Sequence, residues 1–161
     1  MFKKSQPLKS PEDFDHGYNY ALFLLNLSMR TVNEVEEKMT KRGYVKAIIR
    51  EVINRLLEDK YLNDDNYAEV FINSMKNYKT WGRFMMKKKM YEKKLPKDLI
   101  EEKLEDLVSE QDEIEIATRY VEKTFGALKE IKKLPYEDKQ KIIARLAGRG
   151  FGFGLIKQVI D

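Results

Sequence analysis

Apolar residues recur along most of this chain at three- and four-residue intervals, the spacing that collects them on one face of an α-helix. Val32, Val35 and Met39 form one such run, and Ile48, Ile49, Val52, Ile53, Leu56 and Leu57 form a paired seam. No segment alternates convincingly with the period of two that a half-buried strand needs. The pattern predicts an all-α fold. End signals punctuate it: Thr31 with Glu34 three positions on is a capping-box pattern, and Gly43 stands where a C-terminal glycine would stop that helix. Asp64 and Asp65 are expected to cap the helix that contains Tyr67, and Pro96 fits the first turn of a helix running to about Val108.

The pattern also repeats. Tyr20-Ala21 is followed three and four residues later by Leu24 and Leu25, Tyr67-Ala68 by Phe71 and Ile72, and Ile116-Ala117 by Tyr120 and Val121. These are three copies of one first helix. A second alignment anchors on Tyr44, Pro96 and Phe151: five residues before each stands Met39, Tyr91 or Leu146, four after stands Ile48, Ile100 or Leu155, and eight after stands Val52, Leu104 or Val159. One register thus spans the second and third helices of every copy. The expected organisation is an N-terminal extension, residues 1–11, followed by three-helix repeats at about 12–62, 63–110 and 111–161. The extra length of the third repeat falls between Gly126 and Tyr136, where Leu134-Pro135 predicts a loop. Units this small share apolar faces with their neighbours, so three tandem three-helix repeats in an elongated or curved array are expected.

Composition narrows the chemistry. The 161 residues contain no cysteine and one histidine, His16, which removes disulfides and thiolate chemistry and leaves little for histidine-based metal sites. No run approaches the ~18 apolar residues of a membrane span, and Met1 to Ser10 lacks a signal-peptide core, so a cytoplasmic protein with no membrane contact is expected. The net charge is +4, and its distribution is uneven. From Lys76 to Lys97 nine basic residues face one acid, and from Asp98 to Glu115 nine acids face one base, which predicts separate basic and acidic surfaces.

On these residues the chain resembles the RecX family. Arg30-Thr31-x-x-Glu34-Val35 leading to Lys41-Arg42-Gly43, Leu62-Asn63-Asp64-Asp65-x-Tyr67-Ala68 and Arg145-Leu146-x-x-Arg149-Gly150-Phe151 are similar to family motifs in order and spacing, and Gly82-Arg83 matches a further turn loosely. Leu95-Pro96 departs from the usual glycine-plus-apolar pair. The resemblance covers about Tyr18 to Ile160. It implies binding to RecA in the groove of its nucleoprotein filament, with inhibition of ATP hydrolysis and strand exchange, DNA being met directly or through the filament. A monomer without cofactors is expected. The alternatives are a general helical-repeat DNA- or RNA-binding protein and an interaction scaffold with no nucleic-acid affinity.

Candidate partner-binding residues lie on the recurring basic second helices: Lys38, Lys41 and Arg42 in the first copy, and Lys141, Arg145 and Arg149 in the third. In the second copy Arg83, Lys87 and Lys94 fall within about 40° of one another on a helix from Gly82 to Lys94, with Lys88 beside them. Such a stripe fits an anionic partner as well as it fits a solvated face. Arg42 and Arg149 also sit where a cation favours the helix dipole. Tyr78, Trp81 and Phe84 read as packing anchors ahead of base-stacking residues, and Met85, Met86 and Met90 as core filler. Phe151-Gly152-Phe153-Gly154 lacks the Gly-Lys-Ser/Thr ending and preceding strand of a phosphate loop. Nothing pins carboxylates or His16 in an apolar pocket, so no catalytic or metal site is expected.

Overall fold

The structure, a computed structural model, describes residues 8–161, so most of the expected N-terminal extension lies outside the described residues. The elements are α1 (Phe14–Leu27), α2 (Val32–Arg42), α3 (Lys46–Glu58), α4 (Asp64–Ser74), α5 (Arg83–Glu92), α6 (Lys97–Leu107), α7 (Glu110–Phe125), α8 (Leu128–Ile131), α9 (Tyr136–Gly148) and α10 (Phe153–Ile160). No strand occurs among the described residues. Three tandem three-helix repeats are present, α1 to α3, α4 to α6, and α7, α9 and α10, with α8 an added turn inside the segment expected to be a loop. By compactness the chain forms two units, the first ending at Tyr67 and the second spanning Ala68–Asp161.

In the first unit the sequence signals become geometry. Thr31 Oγ1 accepts from the Glu34 N–H (3.2 Å) and Glu34 Oε2 accepts from the Thr31 N–H (3.1 Å), closing the capping box. The seam residues Ile49, Val52, Ile53 and Leu56 pack with Ala21, Val35 and Met39 in one core, each side chain larger than alanine worth about 1.5–3 kcal/mol of burial. Leu57, at the seam's edge, is 42% exposed. Asn63, rather than Asp64 or Asp65, caps α4: its Oδ1 accepts from the Asn66 N–H at 2.9 Å. Asp64 turns back to the preceding repeat, where its carboxylate accepts from the Val32 N–H at the start of α2 (2.9 Å). Burial there pushes the Asp64 carboxyl above its ordinary range, an effect that the Val32 N–H opposes.

The turn between second and third helices is the same in all three repeats, and it corrects the register. Tyr44, Leu95 and Phe151 donate their amides to Met39, Met90 and Leu146 (3.2, 3.3 and 3.2 Å), each just after a left-handed residue, Gly43, Lys94 or Gly150. The second anchor is therefore Leu95 and not Pro96. Proline has no N–H to donate, so it takes the next position and stands one residue before α6. Met90 then replaces Tyr91 as the partner of Met39 and Leu146, and all three are fully buried, whereas Tyr91 is 39% exposed. The corrected register also sets Lys103 level with Val52 and Val159. A lysine occupies a core position of the second repeat, its Nζ 2.7 Å from Glu69 Oε1.

In the second unit two repeats meet through their backbones. The Gly82 N–H donates to Arg149 O (3.0 Å) and the Phe84 N–H to Gly150 O (3.1 Å). A Cβ on Gly82 would stand 2.4 Å from Gly150 O, and one on Gly150 would stand 2.3 Å from the Met85 nitrogen, so only glycine lets these strands of chain approach. Before this junction α4 widens into a π-helical turn, Met75–Lys79, that ends in left-handed Thr80. The widened turn frees carbonyls, and arginines of the following repeat satisfy them: Arg119 donates to Lys76 O, and Arg149 Nη2 donates to Lys79 O (3.0 Å).

Candidate functional site

The candidate cations fall into two groups once their partners are known. In the second repeat α5 ends at Glu92, and Lys94 lies beyond it at φ 55°, so the expected three-residue stripe is reduced to Arg83 and Lys87. Both are paired. Arg83 Nη1 meets Glu105 Oε2 (3.0 Å), its Nη2 donates to Val108 O, its Nε lies 3.8 Å from Glu113 Oε2, and its own amide donates to Glu113 Oε1 (2.8 Å). Lys87 meets Glu101 (3.1 Å) and holds that carboxyl below its usual range. Lys76 bridges Asp112 (2.7 Å) and Leu107 O (2.9 Å). Its ammonium, with the Ser109 hydroxyl, lowers the Asp112 pKa to about 2.

The basic and acidic runs are therefore joined by ion pairs and do not form two isolated surfaces. Antiparallel neighbours of opposite charge face each other across the α5–α6 turn, and the cations near the ends of α6 and α4 cap orphan carbonyls. Arg149 belongs to the same class. Besides Lys79 O it donates to Thr80 Oγ1 (3.0 Å), and its guanidinium lies 4.1 Å from the Tyr120 ring centroid.

The second group is left to solvent. Lys41, Arg42, Lys88, Lys141 and Arg145 are exposed, and Lys38 is half-buried; none has an ion pair among the described residues. In the corrected register, Lys38 and Arg42, Lys89 and Lys93, and Arg145 and Arg149 are equivalent pairs at i, i+4 near the end of each second helix. Each repeat thus presents a cation pair beside the shared turn, though Lys89 is drawn to Glu92 (2.7 Å) and Arg149 into the repeat junction.

A model of the RecX first three-helix domain matches residues 18–56, that of the second matches 63–104, and that of the third matches 110–160. The chain belongs to the RecX family. It is similar to the regulatory protein RecX of Bacillus subtilis (strain 168), with 32% identity over 93% of this chain and 56% of that one, and to RecX of Streptococcus pneumoniae serotype 19F (strain G54), with 33% identity over 97% and 60%. The chain thus spans about three-fifths of the length of these relatives. The crystal structure of RecX from Lactobacillus salivarius superposes with a TM-score of 0.81 at 30% identity, covering 92% of this chain and 95% of that one.

Within the RecX framework, two exposed cations on a third helix stand outside the second-helix set. Lys46 and Arg50 lie at i, i+4 on α3, beside a cleft of about 230 Å³ that Val32, Glu36, Ile49, Ile53 and Asn54 also line. Their i, i+4 spacing is legible in the sequence, but they sit on a third helix, away from the basic second helices. The aromatic expectations also change. Tyr78 is 82% exposed and Phe84 65% exposed, so neither is a packing anchor, whereas Met86 and Met90 are core residues as expected. Among the described residues no helix is long and apolar enough to cross a membrane, and no group of three acidic or histidine side chains is placed to hold a metal ion.

Proposed function

We propose that this chain is a non-enzymatic regulator that docks on the RecA nucleoprotein filament and inhibits RecA ATP hydrolysis and strand exchange in DNA recombination and repair. The observation that carries this is the run of three RecX domains in order across residues 18–160. The relatives are named regulatory proteins, in keeping with a role that needs no catalytic group or cofactor. The protein acts in the cytoplasm as a monomer, where it meets RecA on DNA.

The cations with no ion pair among the described residues, Lys38, Lys41, Arg42, Lys88, Lys141 and Arg145, form the filament-facing set, and Lys94 lies beside it. Arg83, Lys87 and Arg149 have their primary roles inside the fold. Attraction of the first group to an anionic filament weakens with salt, because exposed charges are screened beyond ~8 Å at physiological ionic strength. The test is RecA ATPase on single-stranded DNA with and without this protein. Inhibition at or below equimolar protein supports the reading. No effect on ATPase together with binding to bare nucleic acid would replace it with a general nucleic-acid-binding role.

A further inference from the structure

We propose that α5 and α10 together form a stacking platform for the bases of single-stranded nucleic acid, with Phe84 and Phe153 as the stacking rings. Both rings are open to solvent, 65% and 63% exposed, in the first turn of their helices. The repeat junction brings them to one stretch of backbone: the Phe84 amide donates to Gly150 O, and the Phe84 ring would lie 3.5 Å from a Cβ on Gly152, the residue before Phe153. Four residues after each ring stands an exposed lysine, Lys88 on α5 and Lys157 on α10, with Lys157 Nζ 5.3 Å from the Phe153 centroid. The same ring-then-lysine pair is thus presented twice from one junction.

An exposed aromatic interleaved with lysine suits a strand of unpaired bases, in which each ring meets a base face and each ammonium a phosphate. A protein partner is the weaker fit: aromatics suit protein interfaces too, but lysine is depleted there, and each of these rings is followed by one. The carboxylates nearest along these helices are already engaged, Glu92 by Lys89 and Asp161 by Lys139.

RecA plays no part in this binding and is left out of the titration. The full chain is titrated into fluorescently labelled oligo(dT), an abasic strand of the same length, and a duplex. Wild type is expected to bind oligo(dT) about tenfold or more tighter than the abasic strand. Phe84→Leu and Phe153→Leu keep apolar bulk but lose the ring, and each is expected to weaken oligo(dT) binding about tenfold while leaving abasic binding unchanged. Phe→Tyr at either position should restore binding, and Tyr61→Ala, an exposed aromatic of the first unit, should have no effect. Lys88→Ala with Lys157→Ala should reduce the slope of log K against log salt by roughly 1.4. Equal binding of oligo(dT) and the abasic strand, or Leu variants that bind like wild type, would overturn the platform. So would a wild type that binds none of the three.

Discussion

In the first unit Lys41, Arg42, Lys46 and Arg50 stand exposed with no ion pair among the described residues, and the exceptions, Arg30 and Arg55, are local, bonding Leu24 O and Asp59. In the second unit Lys76, Arg83, Lys87, Lys103, Arg119 and Arg149 each hold a carboxylate or carbonyl from another helix. The difference follows from what each unit lacks. The first has an unbroken apolar seam on α3, whereas the second has Lys103 where that seam would place a valine, a π-helical turn with freed carbonyls, and non-glycine Lys94 in the left-handed turn position. Charge is used internally where apolar continuity and regular helix geometry fail.

The sharpest break in this comparison comes at Gly150 and Gly43, two of the glycines with positive φ. Gly150→Ala should destabilise the second unit by about 3–4 kcal/mol or prevent its folding, because the new methyl meets the Met85 backbone as well as an unfavourable φ of 87°. Gly43→Ala, whose Cβ would only touch Leu8 at 3.7 Å, should cost about 1 kcal/mol from φ alone. Chemical-denaturation midpoints of the two variants would show the disparity; equal losses would remove it. Next in size, Arg83→Ala should cost about 2 kcal/mol, since it uncaps Val108 O and removes the cation 3.8 Å from Glu113, whose side chain is only 12% exposed. A melting temperature matching wild type would return Arg83 to the solvated class.

A smaller loss is expected from Glu69→Gln, about 1–2 kcal/mol, because it removes the charge that compensates the Lys103 ammonium in the core of the second repeat. Lys103→Met should recover or exceed wild-type stability by restoring the apolar position, and a further loss in that variant would contradict the register. The smallest effect is in acid. The Asp112 pKa is depressed from 3.8 to about 2, so its contribution is present above about pH 4 and is lost as pH falls through about 2. With a side chain 32% exposed, that contribution is discounted to about 1 kcal/mol. Wild type should therefore lose its advantage over Asp112→Asn across that window, and parallel acid titrations of the two proteins would remove the Lys76–Asp112 pair from the account.

Much of the fold is legible in local signals. The capping box at Thr31, the stop at Gly43 and the three first helices built around Ala21, Ala68 and Ala117 follow from spacing and side-chain chemistry acting within one helix. The second-repeat register is misjudged by one residue because Pro96 occupies a conspicuous position, while the hydrogen bond that defines the turn belongs to Leu95. The candidate site is less legible for a related reason. Whether a lysine is solvated or paired depends on which helix lies opposite, so Lys87 and Lys88 read alike in the sequence, yet only Lys87 reaches Glu101. Likewise the exposure of Phe84 is set by the glycine junction with the third repeat, a contact with no local signature.

On the proposed function, solvent-facing second-helix cations engage the filament while the paired cations hold the second unit together. This division of roles is tested most directly by RecA ATPase on single-stranded DNA, titrated with a variant carrying Lys41→Glu, Arg42→Glu, Lys141→Glu and Arg145→Glu. That variant should melt like wild type, because none of the four side chains has an ion pair among the described residues, and it should require at least about tenfold more protein to inhibit, with a weakened salt dependence. A folded variant that inhibits at wild-type concentrations with wild-type salt dependence would contradict the account.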